Sequence, residues 1–227
     1  MTGRTENKSA FTLIELLVVV AIIAVLVGIL LPSLTDARKV SRQVACGTRL
    51  SEMYKMTVMY LGDGRGLPPL NNDSGEGAWQ YNYLIWDGED YDQCWGPLAK
   101  PAHHYITDIE SLMCPEQTNE GHINSGGPNP WPPKDLEDTN SSYARRYGLT
   151  RKRFSDFKLP IAFAADIFHI PEVVRTAHED SVSVVFTDGH ATLVRDPILL
   201  ENDLATPFDP LDNPIVAEIW QTLDRNP

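Results

Sequence analysis

Two histidines and two aspartates in the last third of the chain have the types and spacing that could do chemistry. His178 is followed after nine residues by Asp188-Gly189, His190 comes directly after that dipeptide, and Asp166 lies near the end of the apolar run Ile161–Ile167. Imidazoles and carboxylates brought together would hold a divalent metal or move a proton. A zinc hydrolase needs three convergent His, Asp or Glu ligands plus a basic group. The H-E-x-x-H spacing that supplies two ligands from one helix face is absent, as are G-x-x-x-x-G-K-[ST] and C-x-x-C. His103-His104 and His169 add imidazoles without ligand spacing. These residues therefore point away from an enzyme, and a structural metal is the lesser reading. The favoured roles are local: turn chemistry for Asp188-Gly189 and a satisfied hydrogen bond for His178. No cofactor is expected. The candidates for a structural Ca2+ are Glu201, Asp203, Asp209 and Asp212, hard oxygen donors without EF-hand spacing.

The elements that position these residues are readable at the C-terminal end. Val182, Val184 and Phe186 alternate with Ser183, Val185 and Thr187. Asp188-Gly189 then interrupts two β-rich runs, which predicts an antiparallel hairpin of Val182–Thr187 and His190–Val194 through a type I′ turn. A further strand is expected over Ile161–Ile167, and a short last helix around Ile215–Leu223 after Pro207, Pro210 and Pro214. From Leu67 to Asn140 the chain is rich in Pro, Gly, Asn and Asp, with Trp79, Trp86, Trp95 and Trp131 interspersed. Such tryptophans more often supply core mass than a sugar-binding platform.

The front of the chain is of another kind. Leu16 to Leu31 reads LLVVVAIIAVLVGILL, in which Gly28 alone is outside the apolar set, and Glu15 is the one charge from Phe11 to Leu31. At about 1.5 Å per residue those residues make roughly 30 Å of helix, one bilayer core. A buried core helix rarely stays apolar all round for so long. A signal peptide removed after the block would need a small-x-small cleavage site, and Pro32-Ser33-Leu34-Thr35-Asp36 is not one. After Pro32 the pattern turns amphipathic: Val40, Val44, Leu50, Met53, Thr57 and Leu61 recur at mostly three- and four-residue steps. One helix is predicted from about Phe11 to Leu61, bent near Pro32, with a stop at Gly62-Asp63-Gly64-Arg65-Gly66.

Charge follows the same division. The whole chain has 19 Lys+Arg against 31 Asp+Glu, net −12. Residues 1–10 net +1, Glu15 is −1 and residues 32–65 net +3, which leaves −15 on residues 66–227. An acidic distal domain keeps exposed faces soluble and mutually repelling. It gives no electrostatic footprint for nucleic acid.

The string from Lys8 to Pro32, KSAFTLIELLVVVAIIAVLVGILLP, resembles the N-terminus of type IV prepilins and type II secretion pseudopilins. The resemblance implies that prepilin peptidase cuts between Ala10 and Phe11 and N-methylates Phe11. The family usually has Gly at the position of Ala10. It also implies a role for Glu15, whose carboxylate is matched in such filaments by the terminal amine of a neighbouring subunit. His178 with Asp188-Gly189 resembles the H-x9-DG signature of a pseudopilin-like subfamily, and Asp166, Ser142-Tyr143 and Cys114-Pro115 resemble further elements of it. Cys46 matches another cysteine of that subfamily, so the resemblance implies a Cys46–Cys114 disulfide, with unpaired structural cysteines as the alternative.

The resemblance further implies an α+β, pilin-like fold: a long N-terminal helix packed on a small antiparallel sheet with irregular loops. The divisions are a leader at 1–10, a transmembrane helix at 11–31, an amphipathic stem at 32–65 and an exported domain at 66–227. The expected protein is a single-pass subunit of the cytoplasmic membrane with its C-terminal domain on the extracytoplasmic side, passing into a pilus or pseudopilus. Its partners would be prepilin peptidase, other pilin-like subunits and an inner-membrane assembly platform. The alternative function is a membrane-anchored exported module that never polymerises and binds a glycan or another envelope ligand.

Overall fold

The computed structural model describes residues 13–68, 84–87, 94–100, 105–118, 131–146, 148–149, 151–168, 171–201 and 214–226. The chain forms two compact units, Met1–Ser41 and Arg42–Pro227. Helix α1 (Leu13–Gly62) contributes to both and is assigned without interruption through Pro32. Pro32 has no N–H to give the carbonyl four residues back. Just beyond it, Ser33 and Thr35 donate their hydroxyls to the carbonyls of Leu30 and Leu31, at 2.9 and 3.1 Å.

In the first unit the large apolar side chains from Leu13 to Leu31 are all solvent-facing, from 44% at Val27 to 86% at Leu13. This helix is long and apolar enough to cross a membrane.

The second unit is built on the remainder of α1. Cys46, Leu50, Met53, Thr57 and Tyr60 are buried, a stripe at alternating four- and three-residue steps. Val40 and Val44, expected on that stripe, are 57% and 63% exposed. At about 100° per residue Val44 lies roughly 120° round the helix from Leu50, off the buried face. The helix ends at Gly62, and Gly64 follows at φ 79°.

Two antiparallel sheets follow. The smaller pairs β1 (Leu84–Asp87) with β2 (Asp138–Asn140). The larger has the order β3-β4-β5-β6, from β3 (Tyr143–Arg145), β4 (Ala162–Asp166), β5 (Ser181–Phe186) and β6 (Ala191–Arg195). Both central strands are buried along their whole length, so neither face of the sheet is open there. One core joins Cys46, Leu50 and Met53 of α1 to Trp95, Tyr143, Phe163 and Val185. The other sets Val182, Val184 and Phe186 against Val174, Leu199, Ile219 and Trp220. The short α2 (Gly96–Ala99) follows Trp95, and those last four come from α3 (Pro171–His178), α4 (Ile198–Glu201) and α5 (Pro214–Asp224). The fold is thus α+β, with a long apolar helix followed by a small antiparallel sheet. Trp95 is core mass, its indole N–H donating to the Tyr143 carbonyl at 2.9 Å.

The expected hairpin is present, with Val182 opposite Val194 and Val185 opposite Ala191. Its turn is not type I′. Gly189 has φ 90°, whereas Asp188 keeps negative φ. Gly189 N–H donates to the Phe186 carbonyl at 2.9 Å, and the Asp188 carboxylate accepts from His190 N–H at 3.2 Å. The backbone bond from Gly189 to Phe186 makes Thr187 and Asp188 the central residues of the turn, so the loop is three residues long and needs only Gly189 left-handed.

Gly189 also lies against the stem. A Cβ there would sit 2.6 Å from Tyr54 Cε1, and the Tyr54 hydroxyl donates to the Thr187 carbonyl at 3.2 Å. Gly189→Ala therefore meets both positive φ and a ring. The expected loss is at least about 1 kcal/mol, read as a lowered denaturant midpoint at unchanged slope. An unchanged midpoint would mean that the turn does not dock on Tyr54.

Candidate functional site

The chemistry-bearing residues converge at His178, the last residue of α3. Pro171 opens that helix at its first position, where a missing N–H costs nothing. Glu179 closes it at φ 63°. The ring of His178 is buried between two carboxylates. Nδ1 lies 2.6 Å from Glu116 Oε2, and Nε2 lies 2.9 Å from Asp166 Oδ2. Nε2 is also 3.5 Å from Cys114 Sγ and 3.4 Å from Ser183 Oγ.

Asp166 ends β4 opposite Tyr143 and is 1% exposed. Its Oδ2 accepts the Ser183 N–H at 2.5 Å, while its Oδ1 is buried with no hydrogen-bond partner. Cys114 is joined to Cys46 of α1 by a disulfide with Cα atoms 5.3 Å apart. The Arg49 guanidinium donates to the Met113 carbonyl next to it. Donor atoms of Cys46, Cys114, Asp166 and His178 all lie within 4.8 Å of one another. Cys94 is outside the disulfide, and burial pushes its thiol up to about 12, which leaves it inert.

Burial works against charge on His178. The hydrogen bonds and fields of Asp166 and Glu116 outweigh it, so its pKa is raised above the ordinary 6.5. The structure does not bring the other sequence candidates into this centre. Asp188 and His190 pair with each other in the turn at 2.5 Å, and the His190 ring stacks on Phe186 at 4.3 Å. His103, His104 and His169 lie outside the described residues, as do Ala10, Phe11, Asp203, Asp209 and Asp212. Glu201 ends α4. Glu116 was not singled out from sequence. Its signal is its place two residues after Cys114, which brings it near His178 once the disulfide is formed.

The front end is defined by comparison with known proteins. Residues 6–31 match the model of the prokaryotic N-terminal methylation motif. That segment is type IV pilin-like. The chain is also 44% identical, over 55 residues, to the type IV wide pilus major component PilA4 of Thermus thermophilus. That match covers 24% of this chain and 42% of the relative, so the chain spans under half the length of the pilin it resembles. No solved structure matches the chain. The pilin-like segment and the His178 centre lie in different units.

The His178 centre has a pH signature. A histidine whose pKa is higher folded than unfolded stabilises the fold most below its unfolded value. That contribution is lost as pH rises through the folded value. The wild-type denaturant midpoint should therefore fall relative to His178→Gln as pH rises above about 6.5. A constant difference across that range would show that the imidazole does not carry its charge between Glu116 and Asp166.

Proposed function

We propose that this protein is a structural subunit of a type IV pilus-like filament. The observation that carries the reading is the methylation motif at residues 6–31, which runs into a helix with its apolar residues exposed on every side. The leader is removed between Ala10 and Phe11 by a prepilin peptidase, and Phe11 is N-methylated. Glu15, in the first turn of α1, would then lie four residues from a cationic amine. A carboxylate in a spanning helix costs about 2.5–3.5 kcal/mol at the bilayer centre and less near the end of the span, where Glu15 lies. Pairing with the amine of a neighbouring subunit offsets that cost and fixes the axial step between subunits.

The apolar helix holds the subunit in the cytoplasmic membrane, with the acidic domain on the outer side. An assembly platform then moves it into a filament. The name of the Thermus relative favours a pilus over a secretion pseudopilus. The work is mechanical and needs neither a catalytic residue nor a cofactor in this chain. The burial of His178, 1% exposed, supports that view.

Cysteine crosslinking between subunits in cells carrying Glu15→Ala tests the proposal. The variant is expected in membranes at normal levels, with subunit–subunit crosslinks lost. Crosslinking at the wild-type level would reject the pairing.

A further inference from the structure

We propose that Cys46, Cys114, His178 and Asp166 form a Zn2+ site when the Cys46–Cys114 disulfide is reduced. Three observations point to it. The four donor atoms already lie within 4.8 Å of one another, and all four residues are buried. Donors on one tetrahedral zinc are about 3–4 Å apart, so closing the site takes side-chain adjustment.

Asp166 Oδ1 is a buried carboxylate oxygen that no hydrogen bond satisfies. An unsatisfied buried carboxylate oxygen is costly, and a cation bound to this carboxylate would offset that cost. Finally, His178 has the arrangement of a ligating histidine: Nε2 faces Cys114 and Asp166, and Nδ1 meets the Glu116 carboxylate at 2.6 Å. A ligating imidazole characteristically donates its other N–H to a carboxylate, which fixes the tautomer and raises its basicity. Two thiolates and an imidazole select zinc over calcium or magnesium. This donor set is distinct from the acidic C-terminal residues considered for Ca2+.

A dithiol reductant breaks the S–S bond, gives two electrons and two protons to the cysteine pair, and leaves as its own disulfide. Zn2+ then displaces both thiol protons and the proton on His178 Nε2, and the Asp166 carboxylate supplies the fourth donor. The Cys46 and Cys114 crosslink, which ties α1 to the segment leading into Glu116, is thereby exchanged for a metal crosslink at the same place. The tie is then kept under reducing as well as oxidising conditions.

The test uses the full-length protein in detergent, reduced under anaerobic conditions with a phosphine and titrated with Co2+ and then Zn2+. One Co2+ per chain is expected, with thiolate-to-cobalt charge-transfer absorption and the visible bands of a tetrahedral site, both displaced by Zn2+. The oxidised protein and Cys114→Ser should show neither. Glu116→Gln should keep the spectrum and lose about 10- to 100-fold in affinity. Should reduction unfold the protein, recovery of near-ultraviolet circular dichroism on adding Zn2+ supports the site. Reduced protein that binds no Co2+, binds it equally as Cys114→Ser, or stays unfolded with Zn2+ overturns it.

Discussion

The constraint on which everything else depends is the apolar surface that α1 exposes from Leu13 to Leu31. Fifteen large apolar side chains there are each 44% or more exposed. At about 1.5–3 kcal/mol for full burial of each, leaving them in water would cost well over 10 kcal/mol, as much as a whole domain's stability. The chain itself supplies no cover among the described residues. On the proposed function, lipid and then the same helix of neighbouring subunits provide it. A structure with this one demand can satisfy it first in a membrane and then in a filament, without any change in its own covalent framework. Glu15 is the one charge in the segment, and it fits that sequence of environments only if a cation meets it.

The unit from Arg42 onward solves a different problem. Its central strands are buried on both faces, so its sheet needs cover on two sides. The buried stripe of α1 supplies one side and the three short helices supply the other. Three ties hold the stem side in register: the Cys46–Cys114 disulfide, the Arg49 contact to the Met113 carbonyl, and Tyr54 against the Thr187–Gly189 turn. His178 lies beside the first of these. Its two carboxylates come from the segment after Cys114 and from the end of β4, so one ring joins three parts of the chain. His178 anchors the start of β5, and Asp188-Gly189 docks the end of its hairpin on the stem.

Much of this was legible in sequence wherever the signal is local. The apolar block, the glycine stop after α1, the β5–β6 hairpin and the final helix all rest on periodicity or turn chemistry within a few residues. The resemblance to pilin-like proteins led to the Cys46–Cys114 pair, which spacing alone left open. Two details went astray because they depend on tertiary context. Val44 has the right residue type for the stripe but the wrong helical angle. Asp188-Gly189 has the sequence of a type I′ turn, but Thr187 joins the loop and one left-handed residue suffices. The partners of His178 were not legible, since Glu116 is separated from it by 62 positions and the contact arises only when the sheet and disulfide are assembled.

The central claim is that the front of the chain is a processed pilin-type segment rather than a permanent anchor. Mass spectrometry of the N-terminal peptide, on protein isolated from the membranes of the producing cell, tests it most directly. The account predicts a chain that starts at Phe11 and carries one N-methyl group. A mature protein that still begins at Met1, or one cut after the apolar block, would contradict it.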